Sequence, residues 1–384
     1  MNRRMIINSV GLVLRVEAAL LLLPAAVGML YGEKQTLIAF LISAAISLLL
    51  GLLPKLFLKP KTHVIYAKEG FIIVAFTWIM LSLVGAVPLV LAGAVTSYAD
   101  AFFEIVSGFT TTGSSVIPDV EVLSHGALFW RSFTHWVGGM GIIVFVMAIL
   151  PNVSERPIHI LRAEIPGPTV GKLVPRIKDT ALILYLIYIV MTVIETVMLL
   201  FGGMSFFESL LHTFGTAGTG GFGLKRDSLA SYSPYIQWVI TAFMILFGVN
   251  FNLYYLMLLK KFKAVVTSTE LWAYFGIILS SAALIAWNIR HLFVGTEQTV
   301  RTAAFQVASV ISTTGYATAD FNLWPNFSKN ILFILMFIGG CAGSTAGGIK
   351  VSRIVLLFKL ISNEVKRMLH PRSVSSLSFE GKTV

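Results

Sequence analysis

Three stretches built on threonine and glycine, two of them with a serine, recur along this chain: Thr110-Thr111-Thr112-Gly113-Ser114, Gly218-Thr219-Gly220-Gly221-Phe222 and Ser312-Thr313-Thr314-Gly315-Tyr316. A stretch of this kind can replace the water shell of a cation with backbone carbonyls. Glycine permits backbone angles that a Cβ disfavours, and threonine adds a hydroxyl that faces the ion or braces the loop. The expected ion-binding residues are Thr111, Thr112 and Gly113, then Thr219, Gly220 and Gly221, then Thr313, Thr314 and Gly315. The middle copy admits two registers. Counting from Phe214 as the third copy counts from Ile311 selects Gly218, whereas matching the glycine before an aromatic, as in Gly315-Tyr316, selects Gly221, which is preferred. One such string would ordinarily be a helix-ending turn. Copies that agree in order, spacing and setting form an internal repeat.

A second glycine-rich run, Gly339-Gly340-Cys341-Ala342-Gly343-Ser344-Thr345-Ala346-Gly347-Gly348-Ile349-Lys350, interrupts the last apolar segment. Each glycine costs a helix about 1 kcal/mol against alanine, so a continuous helix is unfavourable here. The expectation is a broken helix with an irregular loop at membrane depth, below the filter. Gly339, Gly340, Gly343, Ser344, Thr345, Gly347, Gly348 and Lys350 would form a gate there. The competing reading is a packing motif of the small-xxx-small type.

These residues need elements that hold them inside a membrane. The chain has 384 residues, 56% hydrophobic and 12% charged, against about 25% charged in a soluble domain. Crossing a hydrocarbon core of about 30 Å takes about 20 apolar residues. Spanning helices are expected at 10–30, 36–53, 70–93, 126–150, 179–201, 235–259 and 270–289, with a last one from near Asn330. Between them lie the shorter apolar segments 98–110, 203–215 and 299–311. A helix of about 12 residues rises only about 18 Å, so each can enter the membrane without crossing it. Its C-terminal end carries partial negative charge toward the pore centre and favours a cation. The fold class is therefore an all-α polytopic membrane protein of repeated helix–pore-helix–helix units, preceded by a helical hairpin. The hairpin is placed at 1–60 and the repeats at 61–155, 156–265 and 266–370, the last with a broken second helix. Residues 371–384 form a cytoplasmic tail.

The net charge of +11 does not point to nucleic acid, because the charges sit in short loops between apolar segments. The N-terminus, the loops 54–70, 151–178 and 260–269, and the tail from Lys350 hold 21 of the 29 lysines and arginines. By the positive-inside rule these are cytoplasmic, and the short segments enter from outside. Cys341 is the sole cysteine, the seven histidines lack metal-ligand spacing, and no nucleophile, carboxylate pair or phosphate cradle marks an enzyme. Intramembrane Glu195 reads as a structural hydrogen-bonding group and His212 as a brace within a pore helix. Arg131 is expected to snorkel toward the outer interface. Lys350 and Arg353 flank the gate on its cytoplasmic side.

The runs Ser107-Gly108-Phe109-Thr110-Thr111-Thr112-Gly113, Trp136-Val137-Gly138-Gly139-Met140-Gly141-Ile142, Ala163-Glu164-Ile165-Pro166-Gly167-Pro168 and Gly339 to Lys350 together resemble the TrkH/KtrB superfamily of potassium transporters. The leading helical pair resembles the TrkH branch. The resemblance implies potassium as the transported ion, with no further cofactor, in a bacterial-type plasma (inner) membrane. It further implies four repeats around one pore, a homodimer, a cytosolic TrkA-type nucleotide-binding ring as regulatory partner, and the broken third-repeat helix as intramembrane gate. No fourth filter stretch follows Gly315 before Val384. The sequence therefore reads as lacking the fourth repeat, either because it is truncated or because another chain completes the pore. The alternative is a remnant that binds the ring without conducting. A secondary transporter would pair helix breaks with an ionisable pair at mid-membrane, and the sequence offers one break and no such pair.

Overall fold

The computed structural model describes residues 3–57, 67–141, 177–370, 378–379 and 382–383. Apart from a two-residue antiparallel pairing of Ser378–Phe379 with Lys382–Thr383, the described regular structure is helical. The chain forms two compact units, Met1–Leu229 and Ala230–Val384. Their boundary falls inside the second expected repeat, after its glycine stretch and before its second helix.

In the first unit, α1 (Arg3–Leu20) continues past Leu21 into α2 (Leu22–Leu30), and α3 (Lys34–Phe57) returns beside them. Pro24 has no N–H to give to the preceding turn, which accounts for the interruption near Leu21. The hairpin closes on small residues, for a Cβ on Gly51 would stand 2.7 Å from the Gly11 carbonyl oxygen. Next come α4 (Ala67–Leu91), the short α5 (Tyr98–Phe109), α6 (His125–Gly139), α7 (Ile177–Phe201) and the short α8 (Phe206–Ala217). Serine side chains cap two of them by hydrogen bond. Ser124 accepts from the Ala127 N–H, and Ser205 forms a reciprocal capping box with Glu208, satisfying donors that a helix start leaves open. The core joins Phe109, Trp130, Phe133 and Phe214 in edge-on and tilted ring contacts.

The second unit contains α9 (Pro234–Phe247), α10 (Phe251–Leu258), α11 (Phe262–Val266), α12 (Thr269–Ile289), the short α13 (Thr296–Ile311), a 3-10 turn at Phe321–Leu323, α14 (Asn326–Ile338) and α15 (Val351–Leu369). The expected single span 235–259 is instead two helices bent by 90°. Gly248 caps α9, and the Asn250 side chain accepts from the Asn252 N–H and starts α10. Sequence reading placed one helix break in the chain; the described residues contain a second.

Among the described residues, five helices are long and apolar enough to cross a membrane, or six if the bent pair is one span. The remainder of the expected span 126–150 beyond Gly141, the run Ala163–Pro168 and most of the loop 151–178 lie outside the described residues, as do 58–66 of the loop 54–70.

Candidate ion filter and gate loop

Each pore helix ends in the same backbone figure. Past the ends of α5, α8 and α13, Thr111, Thr219 and Thr313 adopt φ of 54°, 54° and 58°. Two residues later Gly113, Gly221 and Gly315 adopt φ of 75°, 75° and 85°. The residue between turns its N–H back to the pore helix: Thr112 to Ser107 O at 2.8 Å, Gly220 to Gly215 O at 2.9 Å, and Thr314 to Ser309 O at 2.9 Å. This geometry pairs Gly221, not Gly218, with the other two. Gly218 is the right-handed cap of α8, at φ −74°. Positive φ in a β-branched residue is an outlier, and it recurs at the equivalent place in every copy.

Behind the first two stretches runs α6. The Glu104 carboxylate, fully buried in α5, accepts from Arg131 Nε at 2.7 Å, from Ser115 Oγ at 2.9 Å and from the Val116 N–H at 3.1 Å. Arg131 does not snorkel. It is 1% exposed, its Nη2 stands 2.5 Å from Glu104 Oε1, and its guanidinium lies 4.3 Å from the Phe222 ring centroid. Its position along the helix suggested an outward path, but the acid that draws it inward sits on another helix. One turn on, His135 stacks on Phe222 at 4.1 Å. A Cβ on Gly139 would stand 2.6 Å from the Gly218 Cα, and one on Gly138 would strike the Phe109 carbonyl. Only glycine lets α6 lie this close to both stretches. Further out, Arg226 Nη2 donates to Asp119 Oδ2 at 2.5 Å and its N–H donates to Glu121 at 3.1 Å. The Arg226 hydrogen bond holds the Asp119 carboxyl below the usual carboxylate range.

The run 339–350 is not helical, with φ of 76° at Gly339, 72° at Gly343, 82° at Gly348 and 81° at Lys350. It lies in the break of α9–α10, where the backbone groups of each satisfy the other. The Cys341 N–H donates to Gly248 O at 2.9 Å, the Phe251 N–H to Gly343 O at 3.0 Å, and Thr345 Oγ1 to Phe247 O at 3.2 Å. Away from water, freed backbone groups need such partners. Glu270, in the first turn of α12, takes the N–H of Ala342 at 2.7 Å and that of Ser352 at 3.0 Å. The loop also meets the third Thr/Gly stretch, since the Gly347 N–H donates to Thr313 Oγ1 at 2.7 Å. Lys350 is 2% exposed and turns its ammonium back to the Ala346 carbonyl. Glu270 and the Gly248 break were missed in the sequence. The signal for the break was Gly248 followed two residues later by a helix-capping asparagine.

Glu195 is fully buried in α7 beside Thr216 of α8, and His212 is fully buried in α8. Among the described residues no three His, Cys, Asp or Glu side chains converge to hold a metal ion.

Apolar spanning helices, short helices ending in strained Thr/Gly turns and a bent helix pair define a multi-pass membrane protein of the pore-loop kind. Over residues 36–384 the sequence matches the family model TrkH, described as a cation transport protein. The chain is 34% identical over 391 residues to the Trk system potassium uptake protein TrkH of Escherichia coli K12, covering 100% of this chain and 80% of that protein. It is 31% identical to TrkG of the same organism, covering 99% and 79%. The crystal structure of the potassium transporter TrkH from Vibrio parahaemolyticus superposes with a TM-score of 0.89 at 32% identity, over 100% of this chain and 80% of that one. The chain belongs to the TrkH family of cation transport proteins.

Proposed function

We propose that this protein carries potassium across the membrane through a carbonyl-lined filter formed by Thr111–Gly113, Thr219–Gly221 and Thr313–Gly315. The observation that carries the reading is the recurrence of a strained threonine and, two residues on, a left-handed glycine past each pore helix. A dehydrated cation needs several oxygens held at fixed spacing, and a strained backbone persists where its surroundings over-determine it. The glycine-rich loop 339–350 is the gate, set against Thr313 and anchored by Glu270. The related proteins named above are potassium uptake proteins, which supports potassium as the ion. We further assign a homodimer in a bacterial-type plasma membrane, a cytoplasmic N-terminus, a cytosolic TrkA-type ring that moves the gate, and no resident cofactor.

The test is competition uptake in cells that depend on this protein for potassium. Gly113→Ser and Gly315→Ser should each narrow the preference for potassium over sodium, because the added Cβ disfavours the left-handed backbone by about 1–2 kcal/mol. Gly315 has open space where a Cβ would sit, so its effect would come from backbone conformation rather than a clash. Unaltered preference in both inserted variants would end the filter assignment, and absence of potassium uptake by the wild type would favour the non-conducting alternative.

A further inference from the structure

We propose that the buried Glu104–Arg131 pair is a positioning device that holds the exits of the first and second filter stretches in register and thereby sets the cation preference. The inference rests on the filter reading above.

Burying two charges carries a desolvation cost, and apolar residues of similar volume often serve stability as well or better. The pair therefore invites an explanation beyond stability. Its contacts supply one. Glu104 Oε1 holds Ser115 Oγ at 2.9 Å and Oε2 holds the Val116 N–H at 3.1 Å, so the carboxylate grips the chain two and three residues past Gly113. Arg131 Nη2 donates to the same Ser115 Oγ at 3.1 Å, and Ser115 Oγ accepts the Ile117 N–H at 3.2 Å. The guanidinium face covers Phe222, the residue directly after Gly221. One side chain thus touches the exits of two stretches. A guanidinium can do this because its planar fork serves the carboxylate and hydroxyl while its face remains for the ring; an ammonium has no such geometry.

The three pore helices show a related pattern. Glu104, His212 and Gln306 each stand nine residues before their filter glycine, and all three are buried, at 0%, 0% and 3% exposure. Each pore helix thus carries a buried polar side chain at one place behind its filter turn. In the first it is an acid paired with the arginine of α6.

The experiment measures potassium uptake and sodium competition for Glu104→Gln, Arg131→Lys and Phe222→Leu, with Gly113→Ser as the filter control. Losing a buried charged hydrogen bond should narrow the potassium preference by about tenfold in the first two. The change should appear in the relative KM values rather than only in maximal uptake. Phe222→Leu, which keeps the ion pair, should narrow it less. Glu104→Gln combined with Arg131→Lys should be no worse than the more severe single change, because both act on one contact. If either charge variant fails to insert, Ser115→Ala, which leaves the pair and releases the outer turn, should still narrow the preference. Inserted variants whose preference is unchanged while Gly113→Ser alters it would overturn the positioning role alone. An unchanged preference in Gly113→Ser as well would overturn the filter reading and this inference with it.

Discussion

A threonine at positive φ is held against the contacts of its own Cβ, at about 1–3 kcal/mol for each strained residue. Thr111, Thr219 and Thr313 all adopt it, and neighbouring hydrogen bonds oppose that strain. Thr313 Oγ1 donates to Ser312 O at 2.6 Å while accepting from Gly347, so the residue is tied to its own Thr/Gly stretch and to the glycine-rich loop at once. Glu270 does comparable work on the loop, taking N–H groups at residues 342 and 352. Glu270→Ala would strip both donors of this partner, and an unsatisfied buried donor costs about 1–3 kcal/mol. The expected outcome is lower thermal stability in detergent together with raised potassium flux when no regulatory partner is present. If melting temperature and basal flux both match the wild type, Glu270 is not the anchor.

At the scale of elements, two helix breaks solve one problem jointly. The α9–α10 bend frees carbonyls at Phe247 and Gly248, and the loop 339–350 supplies the donors that meet them. Removing Gly343 to Thr345 should therefore raise basal flux with selectivity retained, since the barrier goes while Thr313–Gly315 and the Gly347 N–H that Thr313 accepts remain. Wild-type flux in a folded, inserted deletion variant would make the loop a packing element. The bend itself is tested by Gly248→Ala, whose Cβ would strike the Tyr274 hydroxyl. Overpacking of this kind costs about 1–3 kcal/mol. Tyr274→Phe in the same chain removes the clashing oxygen and should restore part of the lost thermal stability. No rescue would place the strain elsewhere. The second break also removes the sequence argument against paired breaks, for the described residues contain two. They meet in a single packed cluster together with Glu270 and Lys350.

At the scale of the whole molecule, the loop charges predict a side for every segment, and the prediction is open to chemical labelling. Cys341 is buried, so the native chain offers little background to a thiol reagent. Leu323 is 79% exposed in the turn after the third Thr/Gly stretch, and Lys261 is exposed between α10 and α11. A membrane-impermeant maleimide added outside intact cells should label Leu323→Cys and spare Lys261→Cys. The reverse pattern would invert the topology.

Length, composition and repeat were legible because each is written locally. Apolar runs near 20 residues, the recurring Thr/Gly strings and the glycine density after Ile338 depend on neighbours in sequence alone. The register of the middle Thr/Gly stretch was not local. Gly218 and Gly221 are both plausible until the backbone shows that the first closes α8 and only the second takes the left-handed turn. Arg131 was misread for the same reason: a lone cation near a helix end snorkels unless a buried acid faces it, and Glu104 lies 27 positions earlier on another helix. Glu270 and the loop it holds are 72 and 82 positions apart. Residue types and spacing determined the recurring Thr/Gly strings and the helix break after Ile338, but not the break at Gly248. Which charges pair and which carbonyls accept was decided only by tertiary packing, because desolvation makes a buried polar group depend on whichever surface closes over it.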